Sequence, residues 1–277
     1  MKAKYIFIDV DGTLKAHGTG VPDSAVQAIK KARANGHKVF LCTGRNKASI
    51  TDLLDYGFDG FVASAGGYVE VEGKIIHDAP MSAGMLGTLR KALDAEGIMY
   101  NMESTDTTFF PLDMLKAFAN VKKQDVANSE MGRLLDIVKD EFNARDSKDY
   151  DGTPIHKVCF MEESADKCER ALSRLDERYH VVYFADAPGA RLNGEVNSAL
   201  EDKGRGIDFV LDYYGASPED TIGFGDSMND LAMIQKVGLS VVMGNGDEKL
   251  KAMADVVTES VGEDGLYNEF KRQGLLG

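Results

Sequence analysis

Two aspartates two positions apart, Asp9, which breaks the otherwise apolar run at 5–10, and Asp11 just after it, lead into Gly12-Thr13-Leu14. An apolar run this short, bounded by glycine, reads as a buried strand of a parallel sheet. The carboxyl end of such a strand is where open α/β sheets bind ligands. Two carboxylates set there repel each other, and a cation or a shared proton must offset the repulsion. An all-oxygen donor set suits Mg²⁺. The other reading of the pair is a strand end followed by an Asp-Gly turn.

Two later stretches have the same design. The apolar run Lys38-Val-Phe-Leu-Cys42 ends in Thr43-Gly44-Arg45. A hydroxyl, a bare backbone and a guanidinium at a strand's end make a cradle for an oxyanion or a phosphate; alone, they also fit a turn with a solvated arginine. Thr221-Ile-Gly-Phe224 ends in Gly225-Asp226-Ser-Met-Asn229-Asp230. Carboxyl ends of parallel strands share one edge, so Asp9, Asp11, Thr43, Asp226 and Asp230 can converge. Lys203 opens the helix before the third of these strands and reaches the same edge as a point charge, or is a solvated lysine.

The elements that must position these groups alternate regularly at both ends of the chain. Pro22-Asp23-Ser24 opens a helix that Asn35-Gly36 stops, and strand, helix and strand of these lengths form a right-handed βαβ unit. A helix is expected over 46–56, a strand over 60–63, and a hairpin from 68–71 and 74–77 turned by Glu72-Gly73. From about Ser82 the rhythm changes to paired strands and helices: a helix over 83–96, strands at 98–102 and 107–110, helical and charged segments to about Arg145, a strand at 156–160, a helix over 164–179 capped by Ser164, and strands at 180–184, 190–192 and 195–196. This mixture indicates an α+β insert. Helix–strand alternation returns near Lys203, with helices over 204–214, 228–236 and 247–253 and strands at 239–243 and 255–257.

The composition excludes several function classes. Of 277 residues, 43% are hydrophobic and 28% charged, as in ordinary globular proteins. No apolar run approaches the roughly 18 residues that span a bilayer, and the N-terminus enters a strand without a leader pattern, so a cytoplasmic protein with no membrane association is expected. Cys42, Cys159 and Cys168 are too few and too odd in number for a disulfide framework, and no Cys/His spacing suits zinc. A net charge of −13 repels phosphate backbones and argues against nucleic acid as a partner. It also means that a phosphate ester would need local cations at its site. No G-x-x-x-x-G-K-[ST] follows any strand, which sets aside a P-loop nucleotide binder.

Taken together, Asp9-Val-Asp11-Gly-Thr-Leu, Thr43-Gly-Arg45, Lys203-Gly and Gly225-Asp226-Ser-Met-Asn229-Asp230 resemble the haloacid dehalogenase superfamily, and their order and spacing resemble its Cof-type sugar-phosphatase branch. The resemblance covers nearly the whole chain. It implies a Rossmann-like, doubly wound parallel sheet core, residues 1–81 and 188–277, with an inserted α+β cap over 82–187 and hinges near Pro80-Met81-Ser82 and Pro188-Gly189. It implies Mg²⁺-dependent hydrolysis of a small phosphorylated metabolite, with Asp9 as nucleophile and Asp11 as general acid and base. Asp9, the Asp11 backbone carbonyl and Asp226 would hold the metal, with Asp230 and Asn229 completing its shell and orienting Asp226. Thr43, Gly44, Lys203 and Asn229 would bind the phosphoryl group, and Arg45 and Gly66 would contact substrate. A phosphomutase that uses the same intermediate, and a non-catalytic phosphometabolite sensor, are the alternatives. One departure stands out: relatives in this branch carry Asn-Gly-Ala where this chain has Ala65-Gly66-Gly67. In the insert, His156, Lys157 and Arg191 are polar or cationic groups near strand ends, candidates for contact with the substrate, and read in the first place as surface charges.

Overall fold

The computed structural model describes residues 2–16, 20–113, 144–184 and 192–277. The chain forms two compact units: Met1–Arg45, Ile50–Asp78 and Asp202–Gly277 make up the first, and Asn46–Ser49 and Ala79–Glu201 the second. The expected helical and charged segments over 114–143, Arg191 and the Pro188-Gly189 hinge lie outside the described residues.

The first unit opens with β1 (Tyr5–Ile8), α1 (Asp23–Ala34), β2 (Lys38–Cys42), β3 (Gly60–Ala63), β4 (Tyr68–Val71) and β5 (Lys74–Asp78). The second contains α2 (Ala83–Glu96), β6 (Met99–Glu103), β7 (Thr108–Phe110), β8 (Ala144–Asp146), β9 (Lys157–Glu162), α3 (Ala165–Leu172), β10 (Tyr179–Phe184) and β11 (Leu192–Ser198). The chain then completes the first unit with α4 (Lys203–Tyr214), β12 (Thr221–Gly225), α5 (Leu231–Lys236), β13 (Leu239–Val242), β14 (Val256–Val257) and α6 (Gly265–Arg272).

Among the described residues the first sheet has the order β14-β13-β12-β1-β2-β3-β4-β5. Its strands are parallel from β14 through β3, and β4 and β5 add antiparallel. The chain leaves β1 toward β2 on one side and returns through β12 on the other, so β1 sits at the point where the strand order reverses. Period-two alternation sends Ile6, Ile8, Val39 and Leu41 to one face, where they pack with Ala28 and Ile29 of α1 and Leu266 and Phe270 of α6. Phe7, Phe40 and Cys42 go to the other face, against Ile207, Val210 and Leu211 of α4. Both faces are covered, which explains the nearly continuous apolar strands. This is the Rossmann-like doubly wound core. Helix α6 was not foreseen; its buried Leu266 and Phe270, four residues apart, are the signal that marks it.

The second sheet has the order β10-β11-β9-β6-β7-β8. Its apolar face, with Met102, Phe109, Val158, Phe160 and Val196, packs on Leu86, Leu89 and Leu93 of α2 and on Cys168 and Ala171 of α3. Serine side chains cap both helices, Ser82 accepting from the Met85 N–H and Ser164 from the Lys167 N–H. The opposite face is polar. Asn197, Lys157 and Glu103 lie in one row across three strands, with Glu195 and Asn101 in the next. All five are almost wholly buried. Lys157 and His156, 0% and 3% exposed, are therefore not the surface charges expected of them.

Four local expectations change. The helix over 46–56 is instead a 3-10 turn, Lys47–Ile50, and a short helical turn, Thr51–Leu54. Asn46 is drawn to the second unit, where its amide donates to the Ser104 carbonyl at 2.9 Å. The helix expected over 164–179 ends at Leu172, because the Asp176 side chain accepts from the Arg178 N–H in a competing turn. Within the described residues, Leu192 and Glu195–Val196 belong to one strand, β11, paired with both β9 and β10. The return to the first unit thus falls at Asp202 and not at residue 188. No helix among the described residues is long and apolar enough to cross a membrane.

Candidate active site

The candidate groups of the first unit meet at the carboxyl edge of β12, β1 and β2. Asp9 follows β1 directly, and its N–H donates to the Phe224 carbonyl of β12 at 2.9 Å, so its backbone prolongs the sheet. Asp226 follows β12, and Thr43 follows β2. Asp9, Asp226, Thr43, Lys203 and Asp230 are all buried.

Lys203 is the first residue of α4, whose start is capped by the Asp202 side chain accepting from the Arg205 N–H. The cap fixes the helix end, and the Lys203 ammonium reaches Asp9 Oδ1 at 2.7 Å and Asp230 Oδ1 at 2.5 Å. Its side chain is 1% exposed. Burial works against its charge, but the carboxylates of Asp230 and Asp9 outweigh burial and hold its pKa well above the usual lysine value.

Asp230 closes a 3-10 turn, Met228–Asp230. Its Oδ2 accepts from the backbone N–H groups of Asp226 at 2.9 Å and Ser227 at 3.1 Å. It therefore ties the end of β12 to the lysine and orients the loop that carries Asp226. Asn229 is half-buried, and its amide oxygen accepts the Ser227 hydroxyl at 2.7 Å.

Asp226 is held from the other side by the Asp9–Thr13 loop. Thr13 Oγ1 donates to Asp226 Oδ1 at 3.1 Å. Gly12 has φ +91°, and a Cβ there would stand 2.2 Å from Asp226 Oδ2. The Asp-Gly-Thr sequence is thus a fitted seat for Asp226, a role for Gly12 and Thr13 that the sequence reading missed although the motif contained both.

Around β2, Thr43 Oγ1 accepts the Arg45 N–H at 3.1 Å, and Gly44 is buried between them. The Arg45 side chain turns to Asp11, with Nε 2.7 Å from Oδ2 and Nη2 2.7 Å from Oδ1. The loop after β3 follows the same motif: the Ser64 N–H donates to the Arg45 carbonyl at 2.7 Å and the Ala65 N–H to the Thr43 carbonyl at 3.1 Å. Ser64, Ala65 and Gly66 have φ of 50°, 53° and 100°, a left-handed run that two of them adopt without being glycine. Gly66 is needed for close packing, because a Cβ there would lie 2.0 Å from the Asp202 carbonyl oxygen at the start of α4.

The donor set fits a hard divalent cation. One carboxylate oxygen from each of Asp9, Asp226 and Asp230 lies within 4.8 Å of the others. Burial first, and then the Asp230 charge, push the Asp9 carboxyl up to about 8. The same two causes raise Asp226 well above the ordinary aspartate value. Lys203 alone does not balance three buried carboxylates, and all-oxygen ligands of this kind suit Mg²⁺. The Asp11 carboxylate is directed to Arg45 and is not part of this group.

Residues 6–270 match the family model of haloacid dehalogenase-like hydrolases. The chain belongs to this family.

It is a phosphatase of the haloacid dehalogenase-like hydrolases, alongside relatives that carry that name. YkrA of Bacillus subtilis, which bears the name of a phosphatase, is 30% identical over the full length of both chains. The 5-amino-6-(5-phospho-D-ribitylamino)uracil phosphatase YwtE of Bacillus subtilis is 27% identical over 95% of each. Two longer relatives match over only 46% and 55% of their own length. Among solved structures, a HAD subclass IIB sugar phosphatase superposes with a TM-score of 0.80 at 23% identity, over 99% of this chain and 100% of the other, and shares the fold.

Proposed function

We propose that the chain is a Mg²⁺-dependent phosphatase of small phosphate monoesters, sugar phosphates or similar metabolites, acting through an aspartyl-phosphate on Asp9. The observation that carries this reading is the buried Asp9 carboxylate, 2.7 Å from the Lys203 ammonium and grouped with Asp226 and Asp230. The names of YwtE and of the sugar phosphatase support phosphorylated small molecules as the substrate class.

In this reading Asp9 attacks phosphorus, a P–O bond to Asp9 forms, and the bond to the leaving alcohol breaks. Asp11 gives its proton to the leaving oxygen. In the second half Asp11 takes a proton from water as the water oxygen bonds to phosphorus, the Asp9–phosphorus bond breaks, and phosphate leaves. The Thr43 hydroxyl, the Gly44 backbone and Lys203 bind the phosphoryl oxygens, and Lys203 also screens Asp9 from its neighbours. Asp230 and the Asn229 turn orient Asp226. Asp9, Asp226 and the Asp11 carbonyl would hold Mg²⁺, which would supply Lewis-acid neutralisation of charge on the phosphoryl oxygens.

The test is phosphate release from a panel of phosphate monoesters, with Mg²⁺ or with EDTA. The wild type is expected to release phosphate only with metal, Asp9→Asn none, and Asp11→Asn little while still binding substrate. Substantial release by purified, folded Asp9→Asn would sink the covalent route.

A further inference from the structure

The place of Arg45, directly after Thr43 and Gly44, suggests a ligand for the substrate phosphate. The geometry points elsewhere. Both Arg45–Asp11 bonds are 2.7 Å long, one from Nε and one from Nη2, each to a different carboxylate oxygen. This is the parallel, two-bond pairing of guanidinium and carboxylate, stronger and more directional than a single ion pair. The Arg45 side chain is 5% exposed and that of Asp11 16%. The base of the side chain is fixed as well, because the Arg45 N–H donates to Thr43 Oγ1 and its carbonyl accepts from the Ser64 N–H. A guanidinium so placed cannot engage a phosphate through the same two N–H groups without leaving the Asp11 charge unmatched in a poorly hydrated site.

We propose that Arg45 is a positioning residue for Asp11: it grips both oxygens of the ionised carboxylate, and when Asp11 carries the proton that it gives to the leaving oxygen it holds the carbonyl oxygen alone, so that the O–H faces the leaving group. The inference rests on the acid-base role given to Asp11 above. It also gives the Ser64–Ala65–Gly66 loop a purpose: its left-handed backbone brings the Ser64 and Ala65 N–H groups onto the carbonyls of Arg45 and Thr43, so the clamp is braced from behind.

A residue that acts through Asp11 has a distinctive kinetic signature. Protonation of the leaving oxygen matters greatly for an alkyl phosphate, whose alkoxide is strongly basic, and little for p-nitrophenyl phosphate, whose phenolate leaves readily. The experiment measures kcat and KM of the full chain with Mg²⁺ for both ester types, in wild type, Arg45→Gln, Arg45→Lys, Asp11→Asn and Arg45→Gln/Asp11→Asn. Arg45→Gln is expected to lower kcat on the alkyl phosphate by about 100-fold, to lower it far less on p-nitrophenyl phosphate, and to leave both KM values nearly unchanged. Added to Asp11→Asn it is expected to cost nothing further. Arg45→Lys, which keeps the charge but loses the fork, is expected to resemble Arg45→Gln and carries the test if the glutamine variant does not fold. An equal loss on both esters with raised KM, or a loss that adds to that of Asp11→Asn, would overturn the proposal and make Arg45 a phosphate ligand. A wild type inactive on every ester would overturn the phosphatase reading itself, and is told apart because no variant is needed to see it.

Discussion

The Lys203 ammonium lies 2.7 Å from Asp9 Oδ1 and 2.5 Å from Asp230 Oδ1, with the lysine and both carboxylates almost completely buried. One lysine thus joins the candidate nucleophile to the residue that orients the Asp226 loop. Lys203→Met leaves these carboxylates without their cation. Breaking a buried pair in this way costs about 3–5 kcal/mol, and loss of the positive charge beside the phosphoryl group is expected to lower kcat by about 100- to 1,000-fold. Urea unfolding and steady-state kinetics on the same preparation check both numbers; a variant as stable and as active as wild type would mean that Lys203 is dispensable.

The carboxylate cluster also sets a pH dependence. Asp9 is raised to about 8 by burial and by Asp230, from 3.8 when unfolded. Between those values the folded, metal-free protein holds a proton that the unfolded chain has released. The Asp9 contribution to stability is therefore complete at low pH and is lost as pH rises through about 8. Mg²⁺ bound at these oxygens would keep them ionised and remove the dependence. The gap in melting temperature between samples with Mg²⁺ and with EDTA is expected to widen from roughly pH 5 to about pH 8. Differential scanning calorimetry across that range checks it, and a gap independent of pH would count against metal binding at Asp9.

Gly12 is a sharper probe of the Asp226 seat. At φ +91°, with the Asp226 carboxylate 2.2 Å from where a Cβ would be, Gly12→Ala must displace one or the other. A shift of about 1 Å in a catalytic group costs about 100-fold in rate, and Mg²⁺ affinity is expected to weaken with it. Calorimetric titration with Mg²⁺, read beside kcat, separates a displaced metal ligand from a general loss of structure.

In the second unit, Lys157 is wholly buried, 2.7 Å from Glu195 Oε2 and 3.5 Å from Glu103 Oε2. Lys157→Met keeps much of the volume but leaves two buried carboxylates without their shared cation, and is expected to lose about 3–5 kcal/mol. Lys157→Met/Glu195→Gln, which removes one of the charges as well, is expected to recover part of that loss. Denaturant unfolding of the three proteins decides; equal stability would mean that the row of charges contributes nothing to the second sheet.

Much of this protein is legible in its sequence because the signals are local. An apolar run followed by a carboxylate or a threonine, three times over, is enough to place Asp9, Thr43 and Asp226 at the ends of parallel strands, since strand ends and turns follow from neighbouring residues. The hairpin at Glu72-Gly73 and the helix Ala83–Glu96 are equally local: positive φ at both turn residues, and a Ser82 cap with a left-handed Gly97, shape them from within. Other features depended on residues far apart in the chain. That Arg45 pairs with Asp11, that Gly12 is shaped to Asp226 across more than two hundred residues, that Gly66 makes room for the Asp202 carbonyl and that Lys157 is buried between two glutamates are all contacts that appear only when distant segments pack. Side-chain type and spacing determine which groups arrive at the edge of the sheet. Which of them face each other there, and which charges lose their water, is decided by tertiary packing, because burial and pairing belong to the assembled neighbours and not to any one segment.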